Sequence, residues 1–217
     1  MDNFQIALII AGLVFAVGLF GLIKKVRLPL RTTIITKRIF LAIGTVLIVA
    51  AVLAQSHVYL RGYWTTKILI WLFILTASLL FSFGDRAALV KPLKILAGVV
   101  FYFPLASVLW FFIVPFMGPV LSITIWGHIL GDKDDTFYSD KDLRLQRVFR
   151  GALGPAGPPN YFQKSGVLEF DRGTLSVNFY ENPDSLKVEK TKDSVTVLFY
   201  HSGNYDTISP VPFKFKR

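Results

Sequence analysis

The sequence predicts an α-helical polytopic membrane protein: four transmembrane helices, the fourth followed by an interfacial segment, and a small C-terminal antiparallel β domain. Three observations predict it. Of 217 residues, 53% are hydrophobic and 15% aromatic while only 18% are charged, against about 25% charged in an ordinary soluble domain. Long uncharged apolar runs fill residues 1–130, and short alternating segments punctuated by turn residues fill the end of the chain. The charge is also unevenly placed: residues 1–130 hold eleven Lys and Arg against Asp2 and Asp85, whereas 131–217 hold thirteen against twelve Asp and Glu.

The first span, about residues 5–23, reads QIALIIAGLVFAVGLFGLI and contains no charge. Its length matches the ~20 residues that cross a bilayer. Cations follow this run rather than precede it, and no small-residue cleavage site leads into a polar chain, so a signal peptide is the weaker reading. The second and third spans, about 39–55 and 68–83, are slightly short and lengthen through flanking Thr, Tyr and snorkelling Lys.

Residues 95–130 contain no Lys, Arg, Asp or Glu; as one straight helix they would reach about 54 Å, beyond a hydrocarbon core of about 30 Å. Pro115, Gly118 and Pro119 interrupt the run. The preferred division is a span over about 95–116, which Pro104 can kink, and an apolar interfacial segment over about 120–130. A helical hairpin crossing twice is the alternative, and would move everything after it to the opposite side.

The segment 24–38, KKVRLPLRTTIITKR, carries Lys24, Lys25, Arg27, Arg31, Lys37 and Arg38 and no acid. Cations gathered in a short connection beside apolar spans set topology, because Lys and Arg resist translocation. Pro29 argues against one continuous helix through it. Stacking aromatics and nucleic-acid motifs are missing from it, so nucleic acid is not an expected partner; contact with anionic lipid is compatible with the topological role. Connections 24–38 and 84–94 together hold nine cations and connection 56–67 holds two. On four spans, the N-terminus and the C-terminal domain then lie outside the cytoplasm, with a bacterial cytoplasmic (inner) membrane as the expected location and the periplasm as the domain's compartment.

The composition changes at Leu130. Residues 131–165 read as a polar linker, with Ser139 and Asp142 as a weak capping box and Leu143, Leu145, Val148 and Phe149 as one face of a short amphipathic helix before Gly151. Residues 166–217 read as the extramembranous β domain, a meander or small sandwich, with GVLEF, TLSVNFY, SLKVEK and SVTVLFY as strands, PFKFKR as a further strand, and DRG, NPD and KD as turns. Fifty residues of sheet make a modest core, so support from the helices or a partner is expected.

Chemistry is sparse. The chain has no cysteine, which excludes disulfides, thiol nucleophiles and thiolate metal sites. GxSxG, HExxH, Walker A and GxGxxG patterns are absent, no cofactor is expected, and the three histidines, His57, His128 and His201, are not spaced as metal ligands. The first three spans have no ionisable residue in their interior, where relay and transport groups usually sit. Asp85 and Arg86, at the end of the third span, are the candidate gate or ion pair. Trp126 and His128 form a polar-aromatic cluster at a membrane edge. Phe101, Tyr102, Trp110 and Phe112 crowd the fourth region as a candidate interaction surface, and Ala7/Ala11, Gly12/Ala16 and Ala50/Ala54 are small-residue pairs that permit close helix packing. Glu169 and Asp171 read as solvated charge on a sheet edge.

The sequence thus points to a non-enzymatic membrane subunit or scaffold of a multi-protein envelope complex, with other membrane subunits and the bilayer as partners. The alternatives are a small-molecule or lipid transporter gated near Asp85 and Arg86, and a membrane enzyme acting on lipid near His128.

Overall fold

The computed structural model describes residues 3–62, 64–85, 87–113, 136–147, 159–174, 185–190, 194–200 and 213–216. Four helices come first: α1 (Asn3–Lys24), α2 (Leu30–Gln55), α3 (Thr65–Phe83) and α4 (Lys91–Ile113). Of these, α2 and α3 are long and apolar enough to cross a membrane. A short strand, β1 (Val58–Leu60), lies between α2 and α3. The remaining strands are β2 (Thr136–Ser139), β3 (Leu143–Arg147), β4 (Pro159–Ser165), β5 (Leu168–Thr174), β6 (Ser185–Lys190), β7 (Ser194–Tyr200) and β8 (Phe213–Lys216).

The cationic segment 24–38 is mostly helix rather than loop. Lys25 has φ +53°, which ends α1, and Pro29 stands as the N-cap of α2 with ψ 147°. Proline needs no donor there and holds the residue before it extended, so the helix restarts at once. Arg31, Lys37 and Arg38 therefore ride on the first turns of α2.

Helix α3 is the centre of the bundle, packed by α2, α4 and α1 in turn. Phe40, Ala77, Leu80, Leu93 and Ala97 form its buried core, with Phe73, Phe81, Leu89 and Val100 around them. Phenylalanine rings seat against glycines on facing helices: Phe101 against Gly18, Phe83 against Gly21, Phe73 against Gly44 and Phe81 against Gly98. Missing Cβ atoms let the backbones approach around each ring. A Cβ added at Gly12, by contrast, would meet nothing within 4 Å, and Gly12 lies on the exposed face of α1 with Ala16, so among the described residues this small-residue pair is not spent on the internal bundle.

The strands form two antiparallel sheets, β1-β5-β4-β3-β2 and β6-β7-β8. Leu143, Leu145 and Tyr161 of the first sheet and Val195 and Val197 of the second share one buried core; the expected β architecture is thus present as two packed layers.

Two expectations for this region are corrected. The short helix over Ser139–Phe149 is replaced, where the structure describes it, by the β2–β3 hairpin, and β2, β3 and β4 precede residue 166. Asp140 explains the hairpin: its Oδ1 accepts the Asp142 and Leu143 N–H groups at 2.8 and 3.0 Å, and its own N–H donates to the Leu143 carbonyl at 2.9 Å. The aspartate closes a turn instead of capping a helix, and Leu143 and Leu145 then meet the core with strand periodicity. The DRG turn lies within β5: Gly173 has φ +119°, its N–H donates to Asp171 Oδ1 at 2.9 Å, and the β4–β5 register shifts between Asn160 and Phe162, a bulge rather than a chain reversal. Most of TLSVNFY lies outside the described residues.

Candidate functional site

Two groups of polar residues stand out, one at each end of the helical bundle. At the cationic end, the α1–α2 and α3–α4 connections are bolted together. Leu28 donates its N–H to the Phe83 carbonyl at 2.8 Å, and the Arg27 guanidinium reaches the Ser82 and Gly84 carbonyls at 3.5 and 3.4 Å. These are orphan acceptors at the C-terminus of α3, where a cation is favoured. Lys37 extends from α2 to the Ala88 carbonyl at 3.4 Å.

Asp85 belongs to this lock. Its N–H donates to Oγ1 of the fully buried Thr33 at 3.2 Å, and its carboxylate accepts the Ala87 N–H at 2.9 Å. That geometry defines an Asx turn that starts the chain toward α4. Arg86 lies outside the described residues.

At the opposite end, the α2–α3 connection joins the sheet. His57 at φ +59° turns the chain out of α2, and β1 pairs antiparallel with β5: Val58 with Phe170, Tyr59 with Glu169, Leu60 with Leu168. Asp171 N–H to His57 carbonyl and Arg61 N–H to Val167 carbonyl, both 2.8 Å, extend the ladder at each end. The Arg61 side chain also reaches the Gly166 carbonyl at 3.0 Å and the Lys141 carbonyl at 3.3 Å.

Beta pairing places Arg144, Phe162, Lys164, Glu169 and Tyr59 on one face of the first sheet, opposite the sandwich core. Glu169 is not solvated edge charge: β5 is an interior strand, and Glu169 has 0% exposure. One of its oxygens pairs with Arg144, and the other accepts the Gly62 N–H at 3.3 Å. Arg144 also donates to Gln146 and lies 4.7 Å from the centre of the Phe162 ring. Lys164 fastens the β2–β3 hairpin through Ser139 Oγ at 2.7 Å and the Asp140 carbonyl at 2.6 Å.

Burial pushes the Lys164 ammonium below its usual pKa, with Glu169 opposing and Arg144 and Arg61 reinforcing the shift. Burial, then the Asp171 charge, pushes the Tyr59 phenol above its usual pKa. Both Glu169 oxygens have partners, so the carboxylate is suited to holding the loop on the sheet rather than to proton transfer. Among the described residues, no group of three His, Asp or Glu is placed to hold a metal ion.

The candidate aromatic surface divides. Phe101 is buried, stacked on Phe15 at 5.2 Å and Phe81 at 5.5 Å, so it belongs to the bundle core. Tyr102 is exposed and touches Phe15 and Phe81 edge-on. Trp110 and Phe112 lie on α4; Trp126 and His128 fall outside the described residues. The Arg144–Glu169–Gly62 cluster was missed in the sequence because its parts lie in three separated segments, and the only signal was the short Val-Tyr-Leu run before Arg61-Gly62.

No family model matches the chain, and no curated protein or solved structure matches it either.

Proposed function

We propose that the chain is a non-enzymatic integral membrane subunit or scaffold of an envelope complex, in which four helices cross a bacterial inner membrane and hold the β sandwich on the periplasmic side for contact with other subunits. The observation that carries this reading is the β1–β5 ladder. Because the α2–α3 connection supplies a strand to the C-terminal sheet, the two share one side of the bilayer. That agrees with a single crossing by the fourth helix and argues against a hairpin there. The cations at the other end of the bundle then face the cytoplasm.

A sandwich anchored by a flexible stalk would sample many orientations; one built onto a helical hairpin presents a fixed surface. Fixed presentation suits a subunit that positions a partner. The test is purification of the tagged full-length protein at native abundance in mild detergent, followed by sizing and mass spectrometry. Companions in fixed stoichiometry support the subunit reading; a solitary particle that retains no companion overturns it.

A further inference from the structure

We propose that the cationic end of the bundle is a binding surface for anionic phospholipid headgroups, centred on Lys24 and Lys25 at the end of α1 and Arg31 and Arg38 on the first turns of α2. The inference rests on the membrane reading above and adds a ligand to it. Not every cation at this end is available. Arg27 and Lys37 are committed to backbone carbonyls of the α3–α4 side. Lys24, Lys25, Arg31 and Arg38 are all exposed, and among the described residues none of the four has an acidic partner. The only described carboxylate at this end, Asp85, accepts the Ala87 N–H. Among the described residues nothing else at this end takes up the positive charge.

Depth and shape indicate what that is. Arg31 and Arg38 are seven residues apart, which puts them on one stripe of α2. From Leu30 to Arg38 the helix rises about 12 Å, and from Ile39 to Gln55 it rises about 24 Å, most of a hydrocarbon core of about 30 Å. The two arginines thus stand at headgroup depth. Below them Ile39, Val46, Val49 and Val52 are exposed on the same helix, and among the helices α2 packs chiefly on α3. The outer side of α2 is cationic at its head and apolar along its length, the arrangement of an anionic phospholipid with the charges complementary. The α2 first turn has no acidic residue and no side-chain cap, so its N–H groups add to the same potential. Guanidinium groups suit phosphate oxygens through paired donors.

The test uses the full-length protein in mild detergent, offered equal amounts of phosphatidylglycerol and phosphatidylcholine of identical chains and examined by native mass spectrometry. Wild type is expected to retain phosphatidylglycerol over phosphatidylcholine by about fivefold or more, and to lose this preference as salt rises from about 0.05 to about 0.5 M. Lys24→Gln/Lys25→Gln/Arg31→Gln/Arg38→Gln should abolish the preference, whereas Arg31→Lys/Arg38→Lys and the remote Lys141→Gln/Lys187→Gln should largely keep it. Equal retention of the two lipids by wild type overturns the proposal, as does an undiminished preference in the quadruple variant. Alkaline carbonate extraction of native membranes separates this from the parent reading: release into the soluble fraction overturns both, and retention without lipid preference overturns this proposal alone.

Discussion

Glu169 is fully buried and joins two parts of the chain that the sequence keeps far apart: Arg144 on β3 takes one carboxylate oxygen, and the Gly62 N–H in the α2–α3 connection takes the other. Removing one partner of a buried pair leaves an uncompensated charge, a loss of about 3–5 kcal/mol, while replacing both by apolar groups is often nearly neutral. Glu169→Leu should therefore destabilise the protein by about that amount, and Arg144→Met/Glu169→Leu should recover most of it. Denaturant unfolding of the four members of the cycle gives the coupling, and hydrogen exchange at the ladder amides of Tyr59 and Arg61 should accelerate in Glu169→Leu.

Helix packing around glycine gives a second expectation. A side chain at Gly21 would enter the Phe83 ring, whereas Gly12 faces open space. Gly21→Val should cost about 1–3 kcal/mol through overpacking, and Gly12→Ala should be neutral or stabilise by up to about 1 kcal/mol through helix propensity. Thermal unfolding followed by helical circular dichroism in detergent distinguishes the two.

Tyr59 makes stability fall at alkaline pH. Its phenol is held above the ordinary value of 10.0 by burial and by Asp171, so above about pH 10 the unfolded chain releases a proton that the folded chain still holds. The stabilisation is complete below pH 10 and is lost as pH rises through the folded-state value. Lys164, shifted downward, works oppositely: its contribution grows as pH rises toward 10.5. Tyr59→Phe should flatten the decline in melting temperature above about pH 10 without changing it near pH 8.

Much of the architecture was legible because periodicity and composition are local signals. Within the described residues the apolar runs became helices, SLKVEK and SVTVLFY became paired strands β6 and β7, and Pro29 marked the break before α2. Features decided by distant partners were not legible. The spacing of Leu143, Leu145, Val148 and Phe149 fits a helix and in part a strand, and for Leu143 and Leu145 the core offered by Tyr161, Val195 and Val197 selects the strand. Glu169 looked solvated because nothing near it in sequence announces that three residues of the α2–α3 connection will cover the edge of β5. Arg31 and Arg38 were read as loop charges because a cation-rich segment around a proline resembles a connection, although Pro29 starts a helix as readily as it stops one.

The most direct test of the joined architecture uses the absence of cysteine from the chain. Leu60 and Leu168 are partners in the β1–β5 ladder, and the hydrogen bonds at Asp171 to His57 and Arg61 to Val167 make Leu60–Leu168 a non-hydrogen-bonded pair, whose Cα atoms typically stand about 4.5 Å apart and within disulfide reach. Leu60→Cys/Leu168→Cys in intact membranes, treated with a mild oxidant and digested, is expected to yield one intrachain bridge between the α2–α3 connection and the sheet in most molecules. Two unbridged thiols, labelled from opposite sides of the membrane, would contradict the shared side of the bilayer on which the proposed scaffold depends.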